Sequence, residues 1–540
     1  MKKLLKLIYN LLVFTGLWLF PVLVFITYQV FPEMNVKNII LLCLAVTSWT
    51  TFNNIWSVMC EGKAFDKIGI GDGLIPYDGL TKESAQKQAA MYPRVPPDLL
   101  SKKPEGIILG TYKNRYVRIP LKNILHTCIL GGSGSGKTST VLLDTLLSNF
   151  AAGTDSFQTF AIDIKGELHK IATNEYDPMV LVVDPTDRTS TGWDAYYRLR
   201  DNPNDDLIIE ATEEIAQALI ISSNPKDNFF VENARTMFTG LLIHYFKQGE
   251  EFISAVNKIL ESETQSLIEE IVKASDPTDL WYKYLAKFSG KDAESMQDVM
   301  VEMTTSLSVF SKSDIRYCFR DNYRKASPYS LKDGRSVFMS IPEDMLESYK
   351  TVLRLCTVQV LREMERRSES EIKPILLIID EFARLGRMEG IFNALATLRS
   401  KKVLVMLALQ SLAQAVVIYG KAETRVLVEN TRCKVICEVS DPETARTVQD
   451  WCGKYKEKKE TLNTGKGRHK TYTYEDKNIV EPDELITLVK NEEVILVISG
   501  AGYLRPKKCY CFKDPAISVL AETVRTRNNK INEVQTHEHK

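Results

Sequence analysis

The stretch Leu125-His-Thr-Cys-Ile-Leu-Gly-Gly-Ser-Gly-Ser-Gly-Lys-Thr138 decides the fold of this chain. Residues 125–130 are mostly apolar and predict a strand that leads directly into a glycine-rich loop. Residues 138–150 have apolar side chains at helical spacing and predict a helix on the other side of the loop. The order strand, glycine loop, helix is the setting in which the pattern G-x-x-x-x-G-K-[ST] binds phosphate.

The loop chemistry predicts a site for ATP and Mg²⁺. Its glycines let backbone N–H groups turn towards a phosphate, and the helix that follows adds its positive dipole end. Lys137 would reach the β- and γ-phosphates, and the Thr138 hydroxyl would bind Mg²⁺. The predicted nucleotide-binding residues are Gly131, Gly132, Ser133, Gly134, Ser135, Gly136, Lys137, Thr138 and Ser139.

A second apolar strand ends in two acids, in the stretch Pro374-Ile-Leu-Leu-Ile-Ile-Asp-Glu381. Asp380 is predicted to hold Mg²⁺ and its water shell, and Glu381 to orient and polarise the attacking water. Two acids after one apolar strand are common and are weak evidence by themselves. In a chain that also has a phosphate-binding loop, they are strong evidence for a nucleotide site. The second acid favours hydrolysis over phosphoryl transfer to another substrate.

Two further residues are candidates for catalysis. Gln410 follows the apolar stretch 403–409 and could sense the γ-phosphate or the water; the alternative is an ordinary polar residue at a strand exit. Arg399 could act as an arginine finger across a subunit interface. It could equally be a solvated cation at a helix end, and Arg432 is a rival for the finger.

Composition limits the classes of protein that the chain can belong to. Its 540 residues exceed one core and suggest two soluble domains, and its 69 basic and 69 acidic residues give no net charge. Any nucleic-acid contact must therefore come from local patches. The 10 cysteines form no CxxC pair, which favours reduced cytosolic thiols over a zinc site.

The N-terminal residues 1–60 predict a two-helix transmembrane anchor. Residues 7–31 and 38–60 carry no charge, and each stretch is long enough to cross about 30 Å of hydrocarbon. Lysines before the first stretch predict that both chain ends and the soluble domains lie in the cytoplasm. Residues 1–60 are therefore predicted to cross the lipid of the inner (cytoplasmic) membrane twice. A buried soluble hairpin is the alternative.

The remaining pattern predicts an α/β fold, a P-loop NTPase domain with an inserted all-α domain. Apolar strands alternate with helical stretches, which indicates a mostly parallel sheet covered on both faces. The predicted divisions are a linker or collar at 61–104, the first part of the nucleotide-binding domain at 105–204, the all-α domain at 205–321, the second part of the nucleotide-binding domain at 322–514 and a polar, solvated C-terminal tail at 515–540.

A basic stretch at 454–470 is the candidate for DNA contact. It could project as a loop that binds phosphates, with neighbouring tyrosines as stacking platforms. A solvated hairpin between two strands is the alternative. The candidate side chains are Lys454, Lys456, Lys458, Lys459, Arg468 and Lys470.

Taken together, the motifs resemble those of the TraG/TraD (VirD-type) coupling proteins of type IV secretion. Asp380-Glu-Phe-Ala-Arg-Leu-Gly386 is the most diagnostic of them. The others are Gly131–Thr138, Asp163-Ile-Lys-Gly-Glu-Leu168, Val183-Asp-Pro185 with Trp193, Gln410-Ser411 and Asn430-Thr-Arg-Cys-Lys434.

The resemblance implies a RecA-like ATPase, assembled as a hexamer at the cytoplasmic mouth of a secretion channel. It further implies that the chain receives a relaxase-bound single DNA strand, or a protein, and passes it to the channel components during conjugation. The all-α insertion would dock the relaxosome or substrate. Two other functions remain open: an FtsK/SpoIIIE-like DNA translocase, and a membrane docking receptor that binds nucleotide with little hydrolysis.

Overall fold

The computed structural model describes residues 99–538, apart from residues 122, 124, 152–156, 174–176, 222–227, 292, 321–323, 372, 389, 464–468 and 500–501. Both predicted membrane spans and most of the predicted collar lie outside the described residues. Within the described part, no helix combines the length and the apolar character that crossing a bilayer requires. The chain divides into two compact units: among described residues, one holds Tyr455–Lys477 and the other holds the rest.

The strands are β1 (Leu100–Ser101), β2 (Ile107–Tyr112), β3 (Arg115–Ile119), β4 (Thr127–Leu130), β5 (Gln158–Ile164), β6 (Val180–Val183), β7 (Gly192–Trp193), β8 (Lys325–Ala326), β9 (Ser336–Ile341), β10 (Ile375–Ile379), β11 (Val403–Leu409), β12 (Cys433–Ile436), β13 (Lys454–Asn463), β14 (His469–Asn478), β15 (Ile495–Ile498) and β16 (Gly502–Leu504).

The helices are α1 (Leu143–Ala151), α2 (Glu167–Ala172), α3 (Asp205–Leu219), α4 (Asn228–Lys247), α5 (Phe252–Glu261), α6 (Thr264–Ala274), α7 (Tyr282–Leu285), α8 (Ala293–Leu307), α9 (Ser313–Cys318), α10 (Pro328–Lys332), α11 (Leu346–Glu365), α12 (Ile391–Thr397), α13 (Leu412–Asn430), α14 (Pro442–Cys452), α15 (Pro482–Thr487) and α16 (Pro515–Glu538). A π-helical turn, Thr138–Leu142, precedes α1.

The main unit is built on a nine-stranded sheet with the order β16-β15-β12-β4-β11-β10-β5-β9-β6. From β12 to β6 all neighbours pair in parallel. Strands β5, β9, β10 and β11 are buried along their whole length, as expected for parallel strands covered on both faces. The predicted α/β fold with a mostly parallel sheet is confirmed.

One edge of the sheet is antiparallel, which the sequence analysis did not predict. β15 pairs antiparallel with β12, and β16 pairs antiparallel with β15. Only three residues separate the end of β15 from the start of β16. A connection that short can join antiparallel strands, whereas a parallel pair needs a crossover of a dozen residues or more.

The strand that carries the phosphate loop and the strand that carries the two acids are not neighbours. β11 lies between β4 and β10. Its last residue pairs with the last residue of β4, Leu409 with Leu130, so the residue after β11 emerges beside the loop. The sheet therefore places the ends of β4, β11 and β10 in a row.

The helical insertion begins and ends at one point of the main unit. Within the described residues between Leu199 and Lys325, every element is a helix. β7 lies before the insertion and pairs in parallel with β8, which lies after the insertion. A side chain could not replace the hydrogen of Gly192, because its Cβ would lie 2.5 Å from the Cys318 carbonyl oxygen. This pairing closes the insertion into a single branch of the chain.

Helix α11 connects the insertion to the sheet. The Trp193 indole N–H donates to the Gln359 side-chain oxygen at 2.8 Å, and the Gln359 amide donates to the Ala195 carbonyl at 2.8 Å. The buried Arg354 guanidinium donates to the carbonyls of Ala218 and Leu219, at the C-terminal end of α3. Carbonyls at a helix end lack partners within the helix, so α11 both satisfies and fixes that end.

The two ends of the main unit depart from the predicted divisions. Residues 515–540 are predicted to be a solvated tail, but 515–538 form α16, which contacts α1 and buries Ile517 and Val524. Ile517 and Val524 are seven residues apart and therefore lie on one helix face. Two apolar positions in a mostly polar segment give only a weak helical pattern. The predicted collar also extends too far, because β1 pairs with β3.

The basic stretch belongs to the other unit. β13 and β14 form a two-stranded sheet of their own. The hairpin that the sequence predicts for this stretch is therefore present. Its contact with DNA stays a prediction.

Candidate nucleotide site

The glycine-rich loop is tied to the sheet where it begins. The Gly131 N–H donates to the Leu409 carbonyl at 3.0 Å. Gly134 and Gly136 have φ of 76° and 96°, a region that side chains rarely adopt. At Gly131 a Cβ would lie 2.3 Å from the Ser135 Oγ and 3.0 Å from the Cys437 Cβ, so a larger residue at this position would require its neighbours to shift.

Lys137 lies inside the loop, with its side chain only 6% exposed. Its Nζ donates to the carbonyls of Gly131 at 2.6 Å and Gly132 at 3.2 Å, and lies 3.9 Å from the Glu381 Oε1. A buried ammonium held by neutral carbonyls binds an anion readily, because an anion is a stronger hydrogen-bond acceptor.

The two acids after β10 occupy different environments. Asp380 is buried, and this burial, reinforced by the neighbouring Glu381 charge, raises its pKa to about 6. Glu381 is half-buried and has a left-handed backbone, with φ of 48° and ψ of 43°. Such a conformation costs about 1 kcal/mol or more in a non-glycine residue and is typical of functional sites. The turn directs two consecutive carboxylates to different positions.

Gln410 lies at the same edge and contacts the second acid. Its amide donates to the Glu381 Oε2 at 3.0 Å, and the Gln414 amide donates to the Gln410 Oε1 at 3.2 Å. Lys137, Glu381 and Gln410 therefore form one connected set, although they come from three separate parts of the chain.

A polar cavity of about 250 Å³ opens over the loop. Thr138, Asp380 and Glu381 line it together; their roles as Mg²⁺ ligands and water-orienting acid stay predictions. Its lining residues are Gly132, Ser133, Gly134, Gly136, Lys137, Thr138, Ser139, Ile164, Lys165, Glu167, Glu343, Asp380 and Glu381.

The outer wall of this cavity was not predicted. Lys165 and Glu343 pair at 3.1 Å, and the Arg384 guanidinium donates to Glu343 at 3.2 Å. Lys165 follows β5, and Glu343 comes two residues after β9. Because the carboxyl ends of parallel strands meet at one edge, the strand order would have pointed to both residues.

The motif Asp163-Ile-Lys-Gly-Glu-Leu168 supports this wall from behind. The buried Asp163 carboxylate accepts the backbone N–H groups of Leu168 and His169 at 3.0 and 2.9 Å. It also lies 2.6 Å from the His169 Nδ1. The acid caps the start of α2 and fixes the turn that carries Lys165, which is a structural role.

Another missed residue, Lys508, lies on the opposite side of the loop. Its side chain is buried, and its Nζ donates to the carbonyls of Ser135 at 2.7 Å and Cys437 at 3.2 Å. The segment that carries Lys508 follows β16, at the antiparallel edge of the sheet and two strands away from β12. No pattern in the local sequence signals this long-range contact.

The remaining predicted residues do not join the site within one chain. Arg399 and Arg432 are exposed and precede β11 and β12, at the edge of the sheet opposite to the loop. Arg399 lies near the buried His126, just before β4. An arginine finger at either position would have to act on the nucleotide of another subunit. Lys454 is exposed, the side chains of Lys456, Lys458, Lys459 and Lys470 lie outside the described set, and Arg468 lies outside the described residues.

These residues suit a nucleoside triphosphate with Mg²⁺. A buried carboxylate with a raised pKa gains stability when a divalent cation replaces its proton. The half-buried Thr138 hydroxyl lines the same cavity. The fold and the site together define a P-loop NTPase of the class in which an additional strand separates the loop strand from the acid strand.

The sequence from residue 81 to residue 538 matches the family described as "Type IV secretory system Conjugative DNA transfer". The chain belongs to this family, and the resemblance inferred from its motifs is confirmed.

Curated relatives are consistent with this assignment. Protein VirD4 of Agrobacterium fabrum is 23% identical over 74% of this chain and 60% of its own length. Conjugal transfer protein TraG of Rhizobium radiobacter is 23% identical over 72% of this chain and 62% of its own length. The chain thus spans about three fifths of these relatives.

Solved structures show the same fold. The plasmid coupling protein TrwB in complex with the non-hydrolysable ATP analogue ADPNP superposes with a TM-score of 0.60 at 15% identity, covering 78% of this chain and 93% of that one. The unbound form of TrwB lacking its first 70 residues gives a TM-score of 0.57, also at 15% identity, and covers 80% of this chain and 93% of that one.

Proposed function

We propose that this chain is a coupling ATPase, which delivers a DNA substrate to a type IV secretion channel and uses ATP hydrolysis to drive its transfer. The single observation that carries the proposal is the connected set Lys137, Glu381 and Gln410 beside Asp380. A site that only bound nucleotide would not need a carboxylate held by an amide over the loop. Family membership supports DNA as the cargo.

In the proposed reaction, Lys137 exchanges its loop carbonyls for the β- and γ-phosphates of ATP. Thr138 and Asp380 would hold Mg²⁺, which supplies charge neutralisation to the phosphate oxygens. Glu381, positioned by Gln410, accepts a proton from a water as its oxygen attacks the γ-phosphorus. The bond between that phosphorus and the bridging oxygen breaks, giving ADP and phosphate.

The assembly in which this occurs is also part of the proposal. Residues 1–60 would anchor the chain in the inner membrane with its soluble domains in the cytoplasm, since the uncharged stretches 7–31 and 38–60 are each long enough to span it. Subunits would form a ring, proposed to be a hexamer, because Arg399 lies at the edge of the sheet away from its own loop. The partners would be a relaxase bound to single-stranded DNA and the secretion channel.

ATP hydrolysis by the purified full chain tests the proposal. We expect single-stranded DNA to stimulate phosphate release. Lys137→Ala should lower the rate of phosphate release by at least about 100-fold, since the ammonium would contact the transferred phosphate. Lys102→Ala, an exposed lysine away from the site, is the matched control and should retain the wild-type rate.

Two outcomes would favour the alternatives. Tight ATP binding without hydrolysis, with or without DNA, would indicate a docking receptor and contradict the motor. Stimulation by double-stranded DNA alone, without co-purification of a relaxase, would favour an FtsK/SpoIIIE-like translocase.

A further inference from the structure

The phosphate loop is held by a second buried lysine, Lys508, which lies 373 residues after the loop residue Ser135 that it contacts. Lys508 follows β16, and its backbone N–H donates to the Glu492 carbonyl at 2.7 Å. From there the side chain runs beneath the loop, where a Cβ on Gly136 would lie 3.9 Å from the Lys508 Cδ. The neighbouring segment also touches the loop helix, because the Cys511 N–H donates to the Ser139 carbonyl at 3.4 Å.

Lys508 is only 6% exposed, and the two hydrogen-bond acceptors of its ammonium group are neutral carbonyls. Glu438 and Glu492 act on it at a distance, but among the described residues neither forms an ion pair with it. Burying an unpaired charge costs several kcal/mol. This cost is reduced if an anion binds nearby.

The carbonyls that Lys508 holds are informative. Ser135 is the buried loop residue that follows the exposed Ser133 and Gly134. Its carbonyl must point away from a bound phosphate if the loop N–H groups are to point towards it. The other carbonyl belongs to Cys437, whose N–H donates to the Leu130 carbonyl at the end of β4. Lys508 therefore joins the loop at Ser135 to the residue that follows β12.

We propose that Lys508 is a positioning residue for the phosphates: it fixes the loop at Ser135 and supplies a second buried positive charge that the nucleotide phosphates neutralise. This inference rests on the proposed function, since it deepens the account of the same nucleotide site. It assigns to the segment after β16 an indirect part in phosphate binding, through the loop carbonyl of Ser135.

Affinity of the full chain for fluorescent ATP, ADP and adenosine analogues tests the role of Lys508. With Lys508→Met we expect the dissociation constants for ATP and ADP to rise by about tenfold or more, as for loss of a charged hydrogen bond. The adenosine analogue should change less than twofold. Lys507→Met, at the next residue, which is exposed and paired with Glu493, should leave all three constants unchanged.

Lys508→Gln and Lys508→Arg complete the test. Gln can donate to the same carbonyls without charge, and Arg keeps the charge, so Arg should bind ADP more tightly than Gln. Equal loss for all three ligands, unchanged affinity, or failure of both neutral variants to fold would overturn the proposal in favour of a purely structural lysine. If wild type itself binds no nucleotide, the proposed function fails as well, whereas a binding wild type with an unaffected Met variant removes only the role of Lys508.

Discussion

At the scale of single residues, the site combines groups that the sequence identifies with groups that it hides. Lys137, Asp380 and Glu381 could be assigned because each stands at a fixed place in a local pattern. Lys508 could not, because its role depends on a strand pairing far along the chain. The ion pair of Lys165 and Glu343 is intermediate, since the strand order, once known, places both at the loop edge.

The raised pKa of Asp380 predicts a pH-dependent effect on stability. Its folded-state pKa of about 6 exceeds the usual 3.8, so the ionised carboxylate destabilises the folded chain above pH 6, and this cost disappears as the pH falls towards 4. Without Mg²⁺, Asp380→Asn should therefore be more stable than wild type at pH 8, by on the order of 2 kcal/mol, and equal to it near pH 4.

Thermal unfolding of wild type and Asp380→Asn from pH 4 to pH 8 measures this difference. Addition of Mg²⁺ with ADP should reverse the order at pH 8, because only the wild-type carboxylate can bind the cation. A stability gap that does not change with pH would show that Asp380 is not the titrating group.

At the scale of elements, the apolar strands could be predicted because buried parallel strands are nearly continuous runs of Val, Ile and Leu. The apolar stretch 403–409 coincides with β11, and the apolar part of the stretch Pro374–Glu381 forms β10. The antiparallel edge and α16 were not predicted. A three-residue hairpin and a helix with two buried positions leave weak patterns that tertiary packing decides.

Helix α11 predicts where the insertion is most sensitive to mutation. Arg354→Met removes two hydrogen bonds and leaves the last carbonyls of α3 buried, so it should destabilise the chain by roughly 2–3 kcal/mol. Lys350→Met, on the same helix with a side chain that is 40% exposed, is the control and should have little effect. Denaturant unfolding of the full chain gives both values. A similar midpoint for the two variants would mean that α11 does not hold α3.

At the scale of the whole molecule, the family assignment and the fold agree, and the proposed motor follows from adding the site to them. The α/β domain carries the candidate nucleotide site, and the insertion is one branch of the chain, closed by the pairing of β7 with β8. The membrane anchor and the ring stay predictions.

The most direct test of the central claim is DNA transfer from donor cells in which this chain is the sole coupling protein. Wild type, Lys137→Ala and Glu381→Gln are compared, with Lys102→Ala as control and membrane levels of each variant measured. We predict that both site variants lower transfer by at least about 100-fold, because neither can use ATP, while Lys102→Ala transfers normally. Transfer at the wild-type frequency by Glu381→Gln would contradict the account, since DNA would then move without hydrolysis at this site.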